Sequence, residues 1–184
     1  MNIKEYMAIA VLALSAAAAS AGELTAEARW ANHANQYKGE FSEKFKSEDF
    51  GTFSLAGEIE AKQGYKNGKL DALLSASLGY VVNAPLGFTV QPFVQIGEKL
   101  NSSALGSKFI GEGVKVSHSI FGPVSGEVQY RHRGSYTDAD ISENRAAASV
   151  KYAINKKNAV GFAAYNYWGQ SNDHRYGIFY KYSL

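Results

Sequence analysis

Apolar and polar side chains alternate at every second residue along most of this chain, and only an extended strand turns that period into two distinct faces. In residues 23–30, Leu24, Ala26, Ala28 and Trp30 share one face, while Glu23, Thr25, Glu27 and Arg29 share the other. Residues 52–62 repeat the pattern, with Phe53, Leu55, Gly57, Ile59 and Ala61 set against Thr52, Ser54, Glu58, Glu60 and Lys62. The same reading gives strands in 70–82, 88–96, 110–120, 124–133, 145–152 and 175–184. Only 159–168 is ambiguous, because both of its faces are largely apolar or aromatic. Twelve tyrosines, ten phenylalanines and eighteen glycines suit strands and tight turns better than helices.

The first residues read differently. Lys4, an apolar run from Met7 to Leu14 and a small-residue stretch ending Ala19-Ser20-Ala21 match a cleavable secretory signal. Residues 1–21 are therefore expected to be a signal peptide, and residues 22–184 a single domain. The chain has no cysteine, so an exported form has no disulfides and must rely on its packing or on a membrane. After Ala21 no apolar run reaches the ~18 residues of a membrane-spanning helix. The formal net charge of +2 argues against nucleic acid as a partner.

The links between the strands are expected to alternate. Short ones at 155–158, 121–123 and 83–87 take turns with longer polar ones at 169–173, 135–143, 100–106 and 64–69. Barrels of bacterial outer membranes sort their periplasmic turns and outer loops in this way. Strands of about 10 residues tilted near 45° also span roughly the ~25 Å apolar band of such barrels. Trp30, Tyr80, Tyr152, Tyr165, Tyr167, Trp168 and Tyr182 lie near strand ends, where two interfacial girdles are expected. Together these features turn the apolar face toward lipid.

The signal, the loop asymmetry and the terminal segment RYGIFYKYSL resemble the small outer-membrane β-barrel family. In that family the last strand is read by the barrel-assembly machinery and usually ends in Phe, where this chain has Leu184. More loosely, VQYRHR, NRAAASVKYAI and YNYW are similar to the Arg- and Tyr-rich strands of oligogalacturonate-specific porins, which are longer proteins. The resemblance implies a cell outer-membrane location, contact with outer-membrane lipid and lipopolysaccharide, and a small anionic solute or oligosaccharide as cargo.

The expected fold is an all-β, transmembrane, antiparallel up-and-down β-barrel. Nine strands are plain, and an even number requires a tenth at 36–46, where Tyr37, Gly39, Phe41 and Phe45 alternate with charged residues and Glu43 interrupts the apolar face. If 23–49 stood outside the wall, the remainder would close as eight.

The expected inward face carries Glu27, Arg29, Lys38, Glu40, Lys44, Glu58, Glu60, Lys115, Glu127, Arg131, Arg133, Arg145, Lys151, Arg175 and Lys181. Of these, Arg29, Glu58, Glu60, Lys115, Arg131, Arg133, Arg145, Lys151, Arg175 and Lys181 are the candidate pore-lining residues. The acids sit early in the chain and the bases late. A basic wall facing an acidic one would create a transverse field favouring anions or acidic sugars. In so small a barrel the same charges could instead pair and fill the lumen.

Two functional classes thus remain: a narrow porin-like channel, and a non-conducting structural or surface-interaction (adhesin-like) barrel. A lipid A-modifying enzyme is a weaker third, because His118 and Ser119, or His132 and Ser135, fall on opposite faces of a strand. His33 and His174 near loop ends are too little for a protease. Asp138, Asp140 and Glu143 lack the spacing and turn glycine of an EF-hand. No catalytic residue, cofactor or metal is expected, and the barrel is expected to be a monomer.

Overall fold

The computed structural model describes residues 22–31, 34–64, 70–101, 104–137, 142–169 and 172–184. The expected signal, residues 1–21, lies outside them, as do His33, Asp138 and Asp140. Ten strands follow one another: β1 (Glu23–Trp30), β2 (Ala34–Ser47), β3 (Gly51–Gly64), β4 (Leu70–Asn83), β5 (Phe88–Asn101), β6 (Ala104–Phe121), β7 (Val124–Ser135), β8 (Ser142–Ala153), β9 (Asn158–Gly169) and β10 (Asp173–Ser183). Each pairs antiparallel with its neighbour in sequence. β1 closes on β10 from Glu23↔Ser183 to Trp30↔Tyr176, so no sheet edge is left open. The barrel has ten strands, not eight. The disputed segment is a full member of the wall, paired with β3 over its length and with β1 from Asn35 to Ser42.

Closure makes the period-two pattern an inside and an outside. The outside is apolar: Leu55, Leu78, Val94, Ile96, Ile110, Val128, Val150 and Ile178 are all exposed. The inside is polar: Arg29, Arg131, Arg133 and Arg145 are each no more than 2% exposed. This is the reverse of a water-soluble barrel and the arrangement of one that faces lipid. A direct check compares neighbours on β4. Leu78→Arg, on the outward face, is expected to lower unfolding stability in lipid vesicles by about 2–4 kcal/mol, and Ser77→Arg, on the lumen face, by much less. Equal losses would contradict this orientation.

Phenylalanines pack the inside where glycines make room. Phe93 stands opposite Gly113, Phe109 opposite Gly97, and Phe179 opposite Gly161. A Cβ added at any of these glycines would run into the facing ring and a strand carbonyl.

Two expectations need correction. The link expected at 100–106 is mostly strand, since β5 runs to Asn101 and β6 starts at Ala104. Cross-strand pairing outlasts the polar sequence there, so loop length sorts the two ends less strongly than expected. Tyr165 and Tyr167, expected in a girdle, point inward instead, and Tyr167 is only 2% exposed. Pairing of Tyr165 with Arg175 fixes the face of β9 that periodicity left ambiguous. Trp30, Tyr80, Tyr152 and Trp168 do lie outside, each exposed.

Candidate functional site: a charged waist above a cationic vestibule

The lumen site is built from alternate residues of strands on opposite walls. β1 contributes Glu27 and Arg29, β2 Gln36, Lys38 and Glu40, and β3 Glu58 and Glu60. From across the barrel, β7 contributes Arg131 and Arg133 and β8 Glu143 and Arg145, while β10, paired with β1, adds Asp173 and Arg175. A two-residue spacing puts each set on one face, and the register brings the sets to similar heights.

The two walls meet. Arg133 Nη2 lies 2.9 Å from Glu58 Oε1, and Arg131 Nη1 lies 3.6 Å from the same oxygen. Glu60 receives Arg29 Nη1 at 3.1 Å, Arg133 Nη1 at 3.6 Å and Arg145 Nη1 at 3.8 Å. Arg29 also pairs with Glu27 at 2.8 Å, and Lys38 bridges Glu40 at 2.5 Å and Glu58 at 3.0 Å. Arg131 reaches Glu143 at 3.0 Å, and Arg175 reaches Asp173 at 2.7 Å. Within this waist six cations face six carboxylates. Acids predominate on β1–β3 and bases on β7, β8 and β10, each side also holds the opposite charge, and the two sides meet in direct ion pairs across the lumen.

Amides and rings complete the waist. Arg133 Nε donates to Gln95 at 2.9 Å, Arg145 Nη2 to Gln129 at 2.5 Å, and Arg175 Nη1 to Gln36 at 2.6 Å. Tyr165 donates its hydroxyl to Glu27 at 2.5 Å, and its ring carries the guanidinium of Arg29 at 4.3 Å. Arg175 lies over Tyr167 at 4.0 Å, and Arg133 over Phe109 at 4.9 Å. Flat rings under flat guanidinium groups hold the arginines extended toward the barrel axis. Even so, Nε of Arg29, Arg131 and Arg145 has no hydrogen-bond partner among the described residues.

Below the waist, toward the end where the short turns lie, the lumen opens into a vestibule of about 410 Å³. Arg29, Lys38, Arg145 and Tyr165 line its inner end together with Glu27 and Glu40. Its sides carry Lys44, Lys115, Lys151 and Lys181 against Glu23 and Glu127, with Thr25, Ser117, Ser125 and Ser149 between them. One of these lysines is paired, Lys181 with Glu23 at 2.8 Å.

The ten candidate pore-lining residues therefore divide between two levels. Arg29, Glu58, Glu60, Arg131, Arg133, Arg145 and Arg175 build the waist, while Lys115, Lys151 and Lys181 line the vestibule. Sequence reasoning missed Gln36, Gln95, Gln129, Tyr165 and Tyr167, whose uncharged ends carry no electrostatic signal. It placed Glu143 in a loop, although its two-residue spacing from Arg145 puts it on the lumen face of β8. His118 stacks on Phe88 at 4.4 Å between ring centroids, and the Ser135 hydroxyl donates to the Lys108 carbonyl at 3.1 Å.

An apolar outer wall closed around a charged interior defines a β-barrel of the membrane-spanning kind. No protein-family model matches the chain, nor does any curated protein sequence. Among solved structures the chain is similar to the "KdgM porin", at 12% identity and a TM-score of 0.54, over 88% of this chain and 99% of that one. The "NanC porin" structure is similar at 13% identity and a TM-score of 0.53, over 89% and 100% of the two chains. A "KdgM porin in complex with disordered oligogalacturonate" gives 12% identity and 0.53, over 88% and 99%. At these identities the likeness is one of fold.

Proposed function

We propose that this chain is a narrow diffusion channel of the bacterial outer membrane, selective for small and preferentially anionic solutes. Residues 1–21 act in this reading as the export signal. The barrel-assembly machinery inserts the wall, which then sits among lipid and lipopolysaccharide. The observation that carries the reading is the pairing of a cationic vestibule with a waist of buried arginines. Seven cations against four carboxylates concentrate anions at one mouth, and free Nε–H donors of Arg29 and Arg145 offer them a next contact. The oligogalacturonate named with a barrel of similar fold makes acidic sugars reasonable first solutes to try.

The runner-up is a non-conducting structural barrel, and the direct ion pairs across the waist favour it. Swelling of vesicles containing the refolded protein separates the two. A channel admits small sugar acids faster than neutral sugars of the same size. A sealed barrel admits neither.

A further inference from the structure

The outward face is not apolar all the way round. At the height where β3, β4 and β5 present Ile59, Leu74 and Ile96, the next four strands present Glu112, His132, Asn144 and Asn166. Glu112 pairs in register with His132, and His132 with Asn144. For a strand tilted about 40°, each residue adds about 2.5 Å of height. Glu112 then stands about 20 Å above Ile120 at the short-turn end of its strand, inside an apolar band of ~25 Å. Its outward neighbours on β6 are Ile110 and Val114, both apolar.

A carboxyl group facing lipid is costly, and this one has no hydrogen bond or ion pair among the described residues. His132 does not relieve it. Its Nδ1 is 3.1 Å from Asn144 Oδ1, which also accepts the Tyr130 hydroxyl at 2.9 Å. Its Nε2 leans away over Gly134, 3.6 Å from where a Cβ would stand. An acid and a base thus lie side by side on the outer wall without pairing to each other.

The same wall is concave lower down. Gly126 and Ala148 leave an apolar groove of about 290 Å³, bordered by Val116 and His118 on one side and by Val150 and Phe162 on the other.

We propose that a second copy of this chain packs against this wall, about a two-fold axis that crosses the β6–β7 seam between Glu112 and His132. Two barrels inserted in the same direction can be related only by an axis parallel to the membrane normal, so residues meet others of equal height. Glu112 and His132 lie at nearly equal height on either side of the seam. The rotation therefore sets Glu112 of one copy against His132 of the partner subunit. The charge pattern is self-complementary about this axis. The dimer replaces the monomer expected from sequence. It rests on the outer wall facing lipid and does not depend on whether the lumen conducts.

The absence of cysteine makes the test clean. Val114→Cys, next to Glu112, and Ala26→Cys on the opposite wall are each refolded into vesicles at high lipid excess and mildly oxidised. Most of Val114→Cys is expected to become disulfide-linked dimer, and little of Ala26→Cys. Adding His132→Glu, which sets carboxylates against each other, is expected to cut the crosslink roughly tenfold. Equal crosslinking of both walls overturns the proposal. So does none at Val114 in a barrel whose heat-modifiable gel mobility shows it folded. A folded monomer that Glu112→Leu makes more stable also overturns it, because that wall then faces lipid alone.

Discussion

Replacing Glu60 with alanine is expected to destabilise the folded barrel by about 3–5 kcal/mol, the cost of leaving buried charge without its partner. Three arginines share this carboxylate, and two of them keep a second acid. Arg29 keeps Glu27, Arg133 keeps Glu58, and Arg145 loses its nearest acid. The Gln36 amide, which donates to Glu60 at 3.1 Å, is orphaned as well. Urea unfolding of the protein in vesicles measures the loss. Glu127→Ala is the control, because Glu127 makes no ion pair among the described residues. Glu60→Gln is expected to fall between the two, keeping an acceptor and the shape of the side chain but not the charge. If Glu60→Ala and Glu127→Ala unfold alike, the waist does not hold together as described.

The second large effect concerns permeation. Removing Arg131 and Arg133 together empties the space of two guanidinium groups and leaves Glu58 with Lys38 as its remaining cation. An open basic wall would respond to this double substitution by losing anion preference at constant size. A waist of paired charges responds differently, because its arginines both block and attract. The double alanine variant is therefore expected to conduct more than the parent while its selectivity moves toward cations. Planar-bilayer recordings under a salt gradient give both quantities at once. A variant with lower conductance and unchanged selectivity would argue that Arg131 and Arg133 lie off the solute path.

Much of this architecture was legible in the chain because a barrel wall has a local signature. Leu24 to Trp30 and Phe53 to Ala61 alternate strictly, and a period of two has only one structural outlet. Even Glu43, which breaks the apolar face, could not hide the alternation of Tyr37, Gly39 and Phe41 that marks β2. The 159–168 segment failed for the opposite reason. With Ala163, Tyr165 and Tyr167 on one face and Phe162, Ala164 and Trp168 on the other, both faces look alike, and only registry with β10 decides between them.

The candidate site was legible by type and not by geometry. The two-residue spacing of Arg131 and Arg133, or of Glu58 and Glu60, put each pair in the lumen, but nothing local says that Arg133 ends 2.9 Å from a carboxylate 75 residues earlier. That contact is made by ring closure, which is a property of the whole chain. The outward Glu112 and His132 were passed over because each, taken alone, is one irregularity in an apolar stripe. Their adjacency appears only when β6 and β7 are paired.

The most direct measurement is single-channel recording of the refolded, unsubstituted protein in a planar bilayer with unequal salt on its two sides. A narrow lumen with paired charges at its waist and excess lysines at one mouth predicts small, discrete steps with a reversal potential on the anion side. A barrel that inserts, folds and yet passes no current, while the Arg131→Ala/Arg133→Ala variant is equally silent, would contradict the channel and leave a sealed structural barrel in its place.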